Sequence, residues 1–268
     1  MLPLRKVGAT LLGPSDPEPV EIVNPEGAST ALLVCEHAGR LIPAAMDGLG
    51  IAAAEMDRHI AYDLGAEGVA RNLSALLDAP LVLQRYSRLV VDCNRPFDAP
   101  DCVPETSDGT HVPGNCGMPE TERTARFEAI HRPFHDAVAR LLDLRTRDAR
   151  PAILVTVHSF TPRFRDRDRP WHLGVCSNRD QSFARRFMDC FVAENPDIAT
   201  AHNEPYPVDD ASDYTIPVHG EQRGIPHVLL EIRSNEITHE REQERWARRL
   251  AATLLRTSNH GGSQASAV

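Results

Sequence analysis

Four short apolar runs in this chain break into ionisable residues, and that pattern constrains the fold more than any other feature. ALLVC at 31–35 gives way to Glu36 and His37, and AILVTV at 152–157 to His158 and Ser159. RLVVD at 88–92 ends in Asp92, and HVLLEI at 227–232 carries Glu231, with Arg233 just beyond. Apolar runs of this length without polar alternation read as strands buried on both faces. A polar group on such a strand must find a partner, or its burial costs several kcal/mol. Open α/β sheets bind ligands outside the carboxyl ends of their strands. One cleft at that edge would give all of these residues partners at once.

The segments between the strands carry helical spacing. Ile60, Leu64, Val69, Leu73, Leu76 and Leu77 predict a helix over 52–78. Phe127, Ile130, Phe134, Val138, Leu141 and Leu142 predict another over 120–147. Further helices are predicted over 180–193 and 237–256, and further strands at LVLQ (81–84) and HLGVCS (172–177). This alternation gives an α/β fold with a mixed, mostly parallel sheet. Residues 1–28 are expected to be irregular, 29–256 to form a single domain, and 257–268 to be a disordered tail. The Pro-rich stretches 96–119 and 195–224 read as long loops, which inside a domain are often functional.

Charge and cysteine usage exclude several classes. A formal net charge of −9 lacks the basic footprint of a nucleic-acid binder. No stretch approaches the ~20 apolar residues of a membrane span. The N-terminus lacks the continuous apolar core of a signal peptide. Six dispersed cysteines with no CxxC pair read as reduced thiols. A cytoplasmic protein acting on a small molecule is expected.

His37 and His158 are the first candidates for metal ligands, because catalytic zinc takes three protein ligands, often histidine, and keeps one position open. For the third ligand, His59 and Asp63 rank first, four residues apart on one face of the predicted helix. Asp57 and Glu36 stand behind them. Glu231, flanked by apolar residues, fits a general base whose pKa burial has raised; a salt bridge to Arg233 is the structural alternative. Arg88, Asn94 and Arg95 offer contacts to a substrate carboxylate or a developing oxyanion, or a structural network with Asp92. His131 and His135 take a supporting role, since Pro133 interrupts their helix. Tyr214 and His219 are placed in a loop that closes over substrate.

Taken in order, CEHAGRLIP, HIAYDLGA, SRLVVDCNRP, HRPFHDA, VTVHSFTP and HVLLEIRSNEI resemble the N-formylglutamate amidohydrolase family, from about residue 31 to 240. That family is similar in fold to the zinc carboxypeptidases and aspartoacylase-type deacylases. The resemblance implies a three-layer α/β/α domain that hydrolyses an N-acyl amide with a divalent metal, zinc in type. By position it implies His37 and His158 as metal ligands and Glu231 as the carboxylate that activates water. Asn94 and Arg95 resemble the pair that holds a substrate carboxylate, and Arg88 an oxyanion or carboxylate contact. Two positions depart from the pattern. Glu36 stands where the histidine-degradation enzymes have Pro, and Arg40 where the carboxypeptidases have a ligating Glu. The acyl specificity and the third ligand therefore stay open. The alternatives are an amidase or peptidase of different acyl specificity on the same scaffold, or a non-catalytic binding homologue.

Overall fold

The computed structural model describes residues 11–260, with side chains through Ser258. Seven strands make one sheet: β1 (Val20–Val23), β2 (Ala31–Cys35), β3 (Leu81–Gln84), β4 (Ile153–Phe160), β5 (Leu173–Cys176), β6 (Thr200–His202) and β7 (His227–Arg233). Their spatial order is β1-β3-β2-β4-β7-β5-β6. The central strands β3, β2, β4 and β7 run parallel. β1 is antiparallel to β3, and β5 to β7. The sheet is therefore mixed and mostly parallel, as its apolar runs require.

Alternation along these strands builds two cores. Leu33, Val155, Val157 and Leu230 face a layer formed by α1 (Ala66–Leu77), α4 (Ser182–Glu194) and α5 (Glu240–His260), where Leu73, Phe187, Phe191 and Trp246 pack. Leu32, Val34, Leu154 and Leu229 face the other side. There Phe134, Val138 and Leu142 of α3 (Arg132–Arg147) pack beside Leu89, Val90 and Val91. Each such side chain, fully buried, contributes about 1.5–3 kcal/mol. The result is a three-layer α/β/α arrangement.

Several local expectations are corrected. Val20–Val23, read as irregular, is an edge strand paired to β3. The predicted 52–78 helix is a short 3₁₀ turn (Ala53–Asp57), a loop, and then α1. Gly65 (φ +79°) marks the start of α1, and a Cβ there would lie 2.3 Å from the Ile237 carbonyl oxygen. His59 and Asp63 thus sit on a loop and share no helix face. RLVVD is a buried turn, because its amides find nearby partners outside any ladder: Val90 N–H donates to Ser87 O and Asp92 N–H to Cys102 O. The 120–147 helix is divided into α2 (Glu120–Arg126), a π-helical turn at Phe127–His131, and α3, with Pro133 in the first turn of α3. The 195–224 stretch contains β6 and a π-helical turn at Ile216–Glu221. Helix α5 continues to His260, into the expected tail; residues 261–268 lie outside the described residues, as do 1–10. All six cysteines are free. Among the described residues no helix is long and apolar enough to cross a membrane.

Candidate functional site

The carboxyl ends of β2, β4 and β7 open into a cavity of about 330 Å³. His37, His59, Asp63, Arg88, Asn94, Arg95, His158 and Glu231 all line it. Strand register places His158 of β4 directly beside Glu231 of β7. His37 lies two residues past the end of β2, and its carbonyl accepts the Asp63 amide at 2.9 Å, which brings the 58–65 loop to the strand ends.

Asp63 is the hub. Its Oδ2 lies 2.9 Å from His158 Nδ1 and 3.3 Å from His37 Nδ1, and accepts the Ser159 amide at 3.2 Å. One donor atom from each of His37, Asp63 and His158 falls within 4.8 Å of the others, and all three residues are buried. The far side of each imidazole meets another carboxylate. His37 Nε2 is 2.7 Å from Asp92 Oδ1. His158 Nε2 is 3.1 Å from Glu36 Oε2, a close ion-pair contact whose angles do not make it a hydrogen bond. Metal-ligating histidines almost always have a partner on their second ring nitrogen.

The electrostatics agree with this donor set. Burial alone would push the His37 and His158 pKa values down. The carboxylates of Asp92, Asp63 and Glu36 outweigh it, so both imidazoles are raised above the ordinary histidine value. Burial likewise works against the charged forms of Asp63, Asp92 and Glu36, yet the histidine charges, with Arg88 at Asp92, hold all three below their ordinary values. A field that keeps protons on two facing imidazoles also suits a divalent cation, whose binding displaces them. The residues present therefore fit a His-Asp-His metal centre. Glu231 behaves differently: burial raises its carboxyl to about 7, a value suited to proton transfer.

The other sequence candidates separate. His59 lines the cavity, but its Nε2 faces Asp108 at 3.4 Å. Asp57 is exposed and paired with Arg40. Arg88 reaches Asp92 at 2.6 Å and Asp63 at 3.4 Å, bordering the cavity with its side chain a quarter exposed. Arg95 is held by Asp101 and by the Ser212 carbonyl. The Asn94 side-chain amide donates to Asp213, and its oxygen accepts from the Tyr214 and Thr215 backbone amides, which pins the 209–215 loop as a cavity wall. Tyr214 and His219, expected over the substrate, lie outside the lining. They pack against His131 and His135, Tyr214 from the bend before the Ile216–Glu221 turn and His219 from within it. His135 Nδ1 lies 3.0 Å from His219 Nε2, and its Nε2 lies 2.6 Å from the Cys93 carbonyl oxygen.

Sequence reasoning passed over Asp213, Tyr206 and Thr161, all in the lining. Their signal was only membership of Pro-rich or polar loops. Glu36 and Asp92 stand behind the histidines, a position set by strand order and turn geometry.

Comparison with known proteins follows the same lines. No curated protein matches the chain. A solved gene product from Agrobacterium tumefaciens is 35% identical, over 93% of this chain and 98% of that one, with a TM-score of 0.88. The N-formylglutamate amidohydrolase from Ralstonia eutropha shares the fold, with a TM-score of 0.64 at 18% identity over 91% of this chain and 98% of that one. The family model for N-formylglutamate amidohydrolase matches residues 29–238, which takes in both histidines, Asp63 and Glu231; the chain belongs to the N-formylglutamate amidohydrolase family, a family of amide hydrolases.

Proposed function

We propose that this chain is a zinc-type hydrolase that cleaves the amide of an N-formyl or other N-acyl amino acid, N-formylglutamate being the type substrate. One observation carries the reading: the His37, Asp63 and His158 donors converge beside a buried Glu231 in a cavity edged by Arg88 and Arg95. Two imidazoles and a carboxylate are a ligand set of catalytic zinc sites. A cation held by these three residues would supply Lewis-acid chemistry, polarising an amide carbonyl and lowering the pKa of water.

The remaining steps belong to the chain. Glu231 takes a proton from the attacking water and returns it to the leaving amine. Its raised pKa lets one group do both. Arg88, fixed by Asp92 and Asp63, presents its guanidinium to the oxygen that gains charge in the transition state. Arg95 adds positive potential for the substrate carboxylate, and Asn94 holds the wall that shapes the site. These arginines supply the local basic surface that an acidic protein needs to bind an anion.

The test is a hydrolysis screen over N-formyl, N-acetyl and longer N-acyl amino acids, with the chain loaded with zinc. Turnover of at least one carboxylate-bearing amide, lost on chelation and regained on adding the cation, is the expected result. No turnover across the panel would refute the reading.

A further inference from the structure

Behind Thr161 and Tyr206 of the cavity lining, a buried cation lacks an anion. Arg169 is 8% exposed. Among the described residues its guanidinium donates to the Thr161 carbonyl oxygen (3.5 Å), Thr161 Oγ1 (3.3 Å) and Tyr206 Oη (2.5 Å), and pairs with no carboxylate. It lies over the rings of Tyr206, Phe164 and Phe160, at 4.7, 4.8 and 5.8 Å from their centroids. A buried guanidinium normally has an acidic partner. Aromatic faces compensate only part of the lost hydration.

The hydrogen-bond directions show where a partner fits. Arginine only donates, so both hydroxyl oxygens act as acceptors toward Arg169. Each hydroxyl keeps its own proton to give elsewhere. Thr161 and Tyr206 both line the cavity, with Phe160, Val208 and Leu229 as the apolar wall beside them. Two hydroxyl donors polarised by one guanidinium make an oxyanion receptor. Thr161 lies three residues past His158, about 10 Å further along the backbone at strand rise. Thr161 follows β4 and Tyr206 follows β6, whereas Arg88 and Arg95 follow β3.

We propose that Thr161 and Tyr206, backed by Arg169, form a second carboxylate-binding subsite of the cavity. That the ligand is the substrate rests on the amide-hydrolase reading above. The preferred substrate then carries a carboxylate that reaches Thr161 and Tyr206, joined to the scissile amide by an apolar spacer that lies along Phe160 and Leu229.

The test uses full-length protein as wild type, Arg169→Met, Arg169→Lys and Tyr206→Phe. Glutarate serves as a non-hydrolysable probe in calorimetric titrations, alongside steady-state kinetics on N-acyl amino acids. Tyr206 is 46% exposed, so its Phe variant keeps the fold even where an Arg169 variant does not. The dissociation constant for glutarate should rise at least tenfold in Arg169→Met and three- to tenfold in Tyr206→Phe, with partial recovery in Arg169→Lys. KM should rise in the same order, with a smaller fall in kcat. Failure of wild type to bind glutarate at millimolar concentration, or equal binding by wild type and both neutral variants, overturns the subsite. Arg169-dependent glutarate binding without turnover of any amide would sink the hydrolase reading and leave the subsite standing. Turnover that ignores both residues would do the reverse.

Discussion

Glu36 precedes His37 in sequence yet backs His158, with its Oε2 3.1 Å from His158 Nε2. Strand alternation explains the choice: Val34 points into the α3-side core, and Glu36, two residues on, keeps that direction. It arrives behind the histidine of the neighbouring strand. Glu36→Gln should therefore weaken divalent-cation affinity by about 10–100-fold. Competition titration against a chromophoric chelator reads this directly, and an unchanged affinity would remove Glu36 from a supporting role.

Asp63 and His59 were equivalent candidates in sequence and differ in the structure. Asp63→Asn should lower cation affinity by more than 100-fold and abolish hydrolysis. His59→Ala, whose imidazole faces Asp108, should retain the cation. Elemental analysis of both variants after dialysis decides between them, and the opposite pattern would exchange their roles.

Glu231→Gln keeps size and hydrogen bonding but cannot accept the proton. The cation should stay at full stoichiometry, and kcat should fall by about 10²–10⁴, the usual contribution of general acid–base catalysis. A variant with wild-type kcat would end the assignment of Glu231 as base.

The fold was legible wherever burial alone sets the pattern. The runs at 31–35, 152–157 and 227–232 are central strands because parallel strands covered on both faces tolerate no polar alternation. RLVVD carries an apolar stretch, Leu89–Val91, buried as theirs are, but is a turn, since its hydrogen bonds go to Ser87 and Cys102; apolar character reports burial and leaves the bonding partner open. Ile60 and Leu64 fell into helical spacing with α1, although Gly65 separates them from it. His37 and His158 stood out at strand ends. The direction of Asn94, Tyr214 and His219 did not, because loop side chains follow contacts from elements more than 30 residues away.

The histidines behind the cavity set an acid limit on stability. Burial lowers His131 and His219 to about 4, and His135 is well below the ordinary value, again through burial. Unfolded histidine titrates near 6.5. Between pH 6.5 and about 4 the unfolded chain binds more protons at these sites, so their contribution falls as pH falls. For His131 and His219 the shift is worth about 3 kcal/mol each. Urea unfolding at pH 7 and pH 5 should show a smaller loss of stability on acidification in His219→Gln than in wild type. Equal losses would contradict a neutral, buried His219.

The central claim is that His37, Asp63 and His158 together hold the cation that hydrolysis requires. Its most direct test is metal content and turnover measured on the same samples of wild type and His158→Ala, each loaded with zinc and dialysed. The expected result is one ion per wild-type chain with amide hydrolysis, and both lost together in the variant. His158→Ala retaining one ion per chain, or hydrolysing at the wild-type rate without one, would contradict the claim.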